Sequence, residues 1–175
     1  MDDELLDLVD ENDNIIGEVL KSHANSDPKL IHREAAIAVF NTKGEVLLQQ
    51  RALTKRNNPG AWKTTAAGHV GKGEDPKVAV KRELNEELGI TVEPHFMYKE
   101  LEDFKNLERR FSYVYWGLLK EDQPLVLDKE EVMDAKWVTF EDLEEFSKHN
   151  DYSLESGSHE MITQAYALIL DKRLV

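Results

Sequence analysis

Three glutamates, Glu83, Glu86 and Glu87, stand at i, i+3 and i+4 in the run Arg82-Glu83-Leu84-Asn85-Glu86-Glu87-Leu88-Gly89-Ile90. On a helix these positions share one face. Carboxylates crowded on one face repel each other. That cost makes chemical sense when a hard divalent cation sits among them, since Mg²⁺ takes oxygen ligands and combines carboxylates with phosphate oxygens. The run belongs to a longer pattern: Gly68, five residues, Glu74, seven residues, then R-E-aliphatic-x-E-E-x-G-aliphatic. With 35 acidic residues in the chain, a lone Glu-Glu pair would carry little weight. Both glycines and Glu74 in register with the three acids are far harder to obtain by chance.

The element that must carry these acids is well signalled. Asp75 is an N-cap residue, and Pro76 stands at the first helical position, where its missing N–H costs nothing. Val80, Leu84 and Leu88 form the buried stripe, and Gly89 suits a left-handed C-cap. Arg82 lies one turn before Glu86 and is placed to pair with a carboxylate. Upstream, Leu5–Val9 and Ile15–Leu20 flank the turn residues Glu11 to Asn14 and read as a hairpin. Ser22 to Lys29 reads as a loop. Ala35–Phe40 reads as a doubly buried strand and Glu45–Gln50 as the next one. Arg51 to Pro59 reads as a basic loop, and Trp62 to Ala67 leads into the glutamate pattern. Downstream, Thr91–Glu93, Phe111–Leu119 and Ala135–Thr139 read as strands. Glu141–Phe146 reads as a helix with Phe140 and Leu143 inward, Tyr152–Ser158 as a polar loop. His159–Leu174 reads as a final helix with Ile162, Ala165, Ala167 and Leu170 in the core. Strands mixed with a few helices predict an α/β sandwich around a mixed sheet.

The length of 175 residues suits a single domain, 1–175, with its own core, and the 41% hydrophobic content is that of a globular protein. A net charge of −13 argues against nucleic acid or an anionic membrane surface as a partner. With no cysteine, disulfides, thiolate catalysis and cysteine-held metals are excluded. The acidic start Met1-Asp2-Asp3-Glu4 is not that of a signal peptide, and no segment is long and apolar enough to span a bilayer, so a cytoplasmic location is expected. An anionic substrate would need local bases, and Arg51, Lys55 and Arg56 form the dense basic patch of the first half. Arg51 ends a strand leading toward the glutamate pattern and is favoured for contact with such an anion, whereas Lys55 and Arg56 read equally well as part of a solvated loop. Trp62, Phe104 and Phe111 are candidates for stacking on a base, with core packing the competing use of each.

At Gly68, Glu74 and Arg82–Ile90 the chain resembles the Nudix hydrolase family, and every fixed position of that family's box is present. The resemblance implies a Nudix-like α/β/α sandwich with a mixed β-sheet, a Mg²⁺ or Mn²⁺ cofactor, and hydrolysis of a small-molecule diphosphate joined to another group. A homodimer is a further expectation from it. The metal ligands are then Glu83, Glu86 and Glu87, joined by the carbonyl of Gly68, whose lack of a side chain permits close approach. Glu74 orients Arg82 or adds a contact through water. The general base is not a fixed position in the family; Glu83 is one candidate and Glu130 or Glu131 another, with a glutamate of the box ranked above those two, and the catalytic set is Glu83, Glu86 and Arg82. The substrate-binding set is Arg51, Lys55 and Trp62.

Leu8–Ile90 and Glu131–Phe140 are also similar to type I isopentenyl diphosphate isomerase, a branch of the same superfamily. That similarity implies metal binding by His23, His32 and His69. Three departures count against isomerase activity. The isomerase has a catalytic cysteine just before the central glycine, where this chain has Ala67. Its later pair of glutamates corresponds to Glu108 and Arg110. Its hydrolase box is degraded, whereas the one here is intact. Hydrolysis of a nucleoside diphosphate derivative or similar organic diphosphate is therefore the favoured function, with isopentenyl diphosphate isomerisation the alternative. A non-enzymatic ligand sensor on the same fold is disfavoured by the intact glutamates.

Overall fold

The computed structural model describes residues 3–105, 107–121, 123–146 and 154–172. β1 (Leu5–Val9) and β2 (Ile15–Leu20) form the antiparallel hairpin, followed by one helical turn, α1 (Lys21–Ala24), where the sequence suggests only a loop. β3 (His32–Asn41) is the hub of the large mixed sheet. It pairs in parallel with β8 (Arg109–Leu119) over ten residues and antiparallel with β6 (Ala66–His69). β4 (Val46–Arg51) joins β3 at the Phe40–Val46 pair and carries β5 (Trp62–Lys63) and β9 (Val132–Val138). β7 (His95–Asp103) pairs antiparallel with β8 at the far edge.

Two apolar clusters sandwich this sheet. Ala35, Ile37, Val39 and Tyr115 point to one face and pack under α2 (Pro76–Leu88) through Val80, Leu84 and Leu88. Ala36, Ala38, Phe40 and Trp116 point to the other and pack under α3 (Phe140–Phe146) and α4 (Ser156–Asp171). The alternation along β3, with both sets buried, is why that strand reads as a continuous apolar run. α2 has the ends its sequence predicts: the Asp75 carboxylate accepts from the Lys77 N–H, and Gly89 closes the helix at φ 68°.

Two further elements differ from the sequence reading. Thr91–Glu93 is not a strand; β7 begins at His95 and runs to Asp103. Its polar, half-exposed residues lie at the sheet edge, where no hydrophobic alternation is required. In α4 the buried apolar residues are Met161, Ile162, Ala165 and Ile169, whereas Ala167 and Leu170 are exposed. The helix also begins three residues earlier than expected, at Ser156, while Tyr152 and Ser153 of the expected loop and Arg173 and Leu174 of the expected helix lie outside the described residues.

The hairpin is anchored by one acid. Asp13 sits in the turn at φ 66° and its nearly buried carboxylate receives Arg33 at 2.6 Å, Lys99 at 2.7 Å and the Tyr113 hydroxyl. Burial works against its charge, but hydrogen bonds from Lys99, Tyr113 and Arg33 outweigh it and hold its pKa below the ordinary carboxylate value. A depressed carboxylate adds stability above its unfolded pKa and loses it as pH falls through the folded one. Asn tolerates the left-handed backbone at position 13. Asp13→Asn should therefore cost about 2–3 kcal/mol at pH 7, with the difference from wild type fading below about pH 4, as read by urea unfolding at a series of pH values.

Candidate metal and phosphate site

The stretch between β5 and β6 is pinned by its own hydroxyls. Thr65 Oγ1 accepts from the Val39 N–H at 2.8 Å and donates to the Leu47 carbonyl at 2.6 Å, and Thr64 Oγ1 donates to the Ile37 carbonyl. These bonds fix where β6 starts and so where Gly68 lies, antiparallel to Ala35. The Glu83 carboxylate rests directly over the Gly68 backbone, in the space that a Cβ at this position would fill. Gly68 is thus required for the close approach of a helix carboxylate to the strand backbone.

Arg82 uses every guanidinium nitrogen. Nε and Nη2 form a bidentate pair with Glu74, both at 3.0 Å. Nη2 also reaches the His69 carbonyl at 3.0 Å, and Nη1 reaches Glu83 at 2.6 Å and Glu86 at 3.1 Å. Glu74 in turn accepts from the Gly71 N–H, which closes the loop between β6 and α2. Glu87 points inward, only 5% exposed, and accepts from Gln49 Nε2 at 2.7 Å while Lys63 Nζ lies 3.7 Å away. Glu86 is the outermost acid, its side chain 56% exposed.

Burial, and then repulsion from Glu87, push the Glu83 carboxyl up to about 7, against the pull of Arg82. An acid this reluctant to ionise beside two others is an arrangement that a divalent cation would stabilise, by reversing the local field. Oxygen donors from Glu83, Glu86 and Glu87, with the Gly68 backbone directly beneath the Glu83 carboxylate, fit Mg²⁺ or Mn²⁺ in hardness.

Of the substrate-binding candidates, Arg51 follows Gln49 by two on β4, so it lies on the sheet face that Gln49 uses to reach Glu87. Its Nε donates to the Asn57 carbonyl. The Lys55 ammonium is committed to both oxygens of Glu131, at 2.6 and 2.5 Å, which also occupies one of the alternative bases; Glu130 is exposed. Trp62 is buried on the opposite face, edge-on to Phe146 with ring centroids 5.1 Å apart and Lys136 over its ring, so packing is its use here. Phe111 is likewise buried, and the Arg110 guanidinium covers the Phe104 ring.

The histidines divide. His32 and His69 stack with centroids 5.1 Å apart, and their ligand atoms lie with that of Glu108 within 4.8 Å of one another. His23 is exposed on α1 and stays outside that group. Burial, followed by the nearby charges of Lys21, His32, Arg110 and Lys63, holds the His69 ring well below the ordinary histidine range, so it is neutral at pH 7. Around it, Glu34, Glu102 and Arg110 form an ion-pair cluster. Sequence reasoning missed Gln49, Lys63, Glu34 and Glu102. Lys63 sits in a two-residue strand with no periodicity to expose it, and Gln49 is a polar residue on an otherwise buried strand, which was the one available signal.

Comparison with known proteins follows the same lines. Residues 30–156 match the family model described as NUDIX domain. An isopentenyl-diphosphate Delta-isomerase of Streptomyces avermitilis is 36% identical over 157 residues, covering 85% of this chain and 78% of its own. An uncharacterised Nudix hydrolase of Listeria monocytogenes is 34% identical over 158 residues, covering 83% of this chain and 86% of its own. In three dimensions, DR0079 from Deinococcus radiodurans superposes with a TM-score of 0.75 at 23% identity, over 93% of this chain and 99% of its own. That likeness extends to the fold.

The Gly68–Glu83 contact generates a specific expectation. Gly68→Ala must displace the Glu83 carboxylate, which is the flexible end of a side chain, so the fold should survive with a small change in Tm. Mn²⁺ affinity, measured by electron paramagnetic resonance, should fall by roughly 10- to 100-fold.

Proposed function

The chain belongs to the NUDIX family, and we propose that it hydrolyses a diphosphate linkage in a nucleoside diphosphate derivative or similar organic diphosphate, using Mg²⁺ or Mn²⁺. The observation that carries this reading is the complete carboxylate set on α2, with Arg82 clamped in place and Glu83 seated over Gly68. When bound, the cation would supply charge neutralisation on the phosphate oxygens.

The chain's own residues divide the remaining work. Glu87, held by Gln49, and the more exposed Glu86 would hold the cation. Glu83 accepts the proton of the attacking water; its partly protonated character without metal gives way to the charged form when a cation is near. Arg82 keeps Glu83 and Glu86 in register and is itself fixed by Glu74. Arg51 contacts the diphosphate, on the same sheet face as Gln49. Lys55 joins it only by leaving Glu131, so its share in binding is smaller.

The isomerase-named relatives make a second reading specific enough to test. Two features of this chain oppose it. Ala67, beside Gly68, offers no thiol to donate a proton to an alkene, and Arg110 replaces an acid with a permanent cation. Reaction in ¹⁸O-labelled water with a panel of organic diphosphates should place the label in a phosphate product for at least one of them. Isopentenyl diphosphate should stay unconverted to its allylic isomer. Glu86→Gln should retain its fold and lower kcat by roughly 10³-fold, because several kcal/mol of charge stabilisation depend on the cation. Isomer formation without labelled phosphate from any compound would establish the second reading instead.

A further inference from the structure

We infer that Arg110 excludes a second metal ion from His32, His69 and Glu108 by supplying a fixed cation to the same acids. The three side chains do look like a metal centre: their ligand atoms cluster within 4.8 Å, and His32 Nε2 is buried without a hydrogen-bond partner. The similarity to the isomerase implies a metal at these histidines as well. Three observations on this chain oppose it.

The first is register. β3 and β8 pair His32 with Arg110, and β7 and β8 pair Glu102 with Arg110, so the backbone itself delivers position 110 to the middle of the cluster. An acid there would add a ligand beside His32. An arginine brings a cation that cannot be deprotonated.

The second is competition for one oxygen. Glu108 Oε1 lies 3.4 Å from His32 Nε2, and the same oxygen is 3.0 Å from Arg110 Nη1. A divalent ion bound there would share its carboxylate with a guanidinium a few ångströms away, at a position where burial reduces screening. Arg110 is held firmly enough not to yield: Nη1 also reaches Glu34 at 2.9 Å, Nε reaches Glu102 at 3.1 Å, and the Phe104 ring covers the guanidinium at 4.6 Å.

The third is the remaining ligand set. His69 Nε2 is bonded to Asn25 Oδ1 at 2.9 Å, and His23 is outside the cluster. The group is therefore an ion-pair network centred on the Arg110 guanidinium, which occupies the carboxylates a metal would need. This holds whether or not the α2 acids hydrolyse a diphosphate.

The test is metal binding. The full chain is saturated with Mg²⁺, which favours the oxygen ligands of α2, and then titrated with Zn²⁺, which favours imidazole. Binding is read from the ¹⁵N–¹H resonances of the His32 and His69 rings and by calorimetry. In wild type the two rings should not respond to stoichiometric Zn²⁺. In Arg110→Glu both should shift, with Zn²⁺ bound at least about tenfold more tightly than by wild type. Should Arg110→Glu fail to fold by circular dichroism, Arg110→Gln, which removes the charge and keeps a similar shape, decides in its place. Wild-type rings that shift with Zn²⁺ and lose the response in His32→Asn would overturn the inference. So would a folded position-110 variant whose rings stay silent.

Discussion

The Arg82 guanidinium is the contact on which the site depends. It joins Glu74 of the loop, the His69 carbonyl of β6, and Glu83 and Glu86 of α2, so one side chain ties three segments into a fixed geometry. Its planar fork suits this use; an ammonium has neither the bidentate geometry nor the number of fixed donors. Yet it does not balance the site. Arg82 and Lys63 face Glu74, Glu83, Glu86 and Glu87, and the upward shift of Glu83 to about 7 is the sign of burial and of charge left over. A protein folded around surplus buried negative charge is poised for a cation, and the open side of that cluster is where Glu86 reaches solvent.

The sheet supplies the rigidity. β3 contacts both halves of the site: through β6 it fixes Gly68, and through β8 it fixes Arg110 beside His32. The paired threonines hold the β5–β6 segment to neighbouring backbone, so Gly68 cannot drift from Glu83. Two charged clusters thus lie close together on one framework. Both carry more acid than base, but the one around Arg110 has a guanidinium fixed at its centre, between its acids, whereas the α2 carboxylates converge on an open side.

Much of this was legible in the sequence wherever a local rule applied. The cap at Asp75, the stripe Val80-Leu84-Leu88 and the left-handed Gly89 specify α2 completely, because each is a short-range requirement of the helix. The alternating tyrosines of β8 and the apolar run of β3 follow from strand periodicity. What stayed hidden depends on long-range pairing. β7 is a polar edge strand without a hydrophobic pattern; the inward face of α4 is set by which side docks on the sheet; Trp62 is core because β5 lies over α4. Lys63 and Gln49 become part of the site only because β4 and β5 pair beneath Glu87. The sequence reading did single out Glu108 and Arg110, but only register revealed that Arg110 sits among three acids.

The central claim is that the carboxylates of α2 are assembled for a divalent cation. Thermal unfolding with and without Mg²⁺ tests it most directly, comparing wild type with the triple variant Glu83→Gln, Glu86→Gln, Glu87→Gln. Mg²⁺ at about 100 times its dissociation constant should stabilise wild type by about 2.7 kcal/mol, a rise of roughly 5–11 °C in Tm, through binding to the folded state alone. The triple variant should unfold at the same temperature with and without the ion. A wild-type Tm indifferent to Mg²⁺, or a Mg²⁺ response undiminished in the triple variant, would contradict the account.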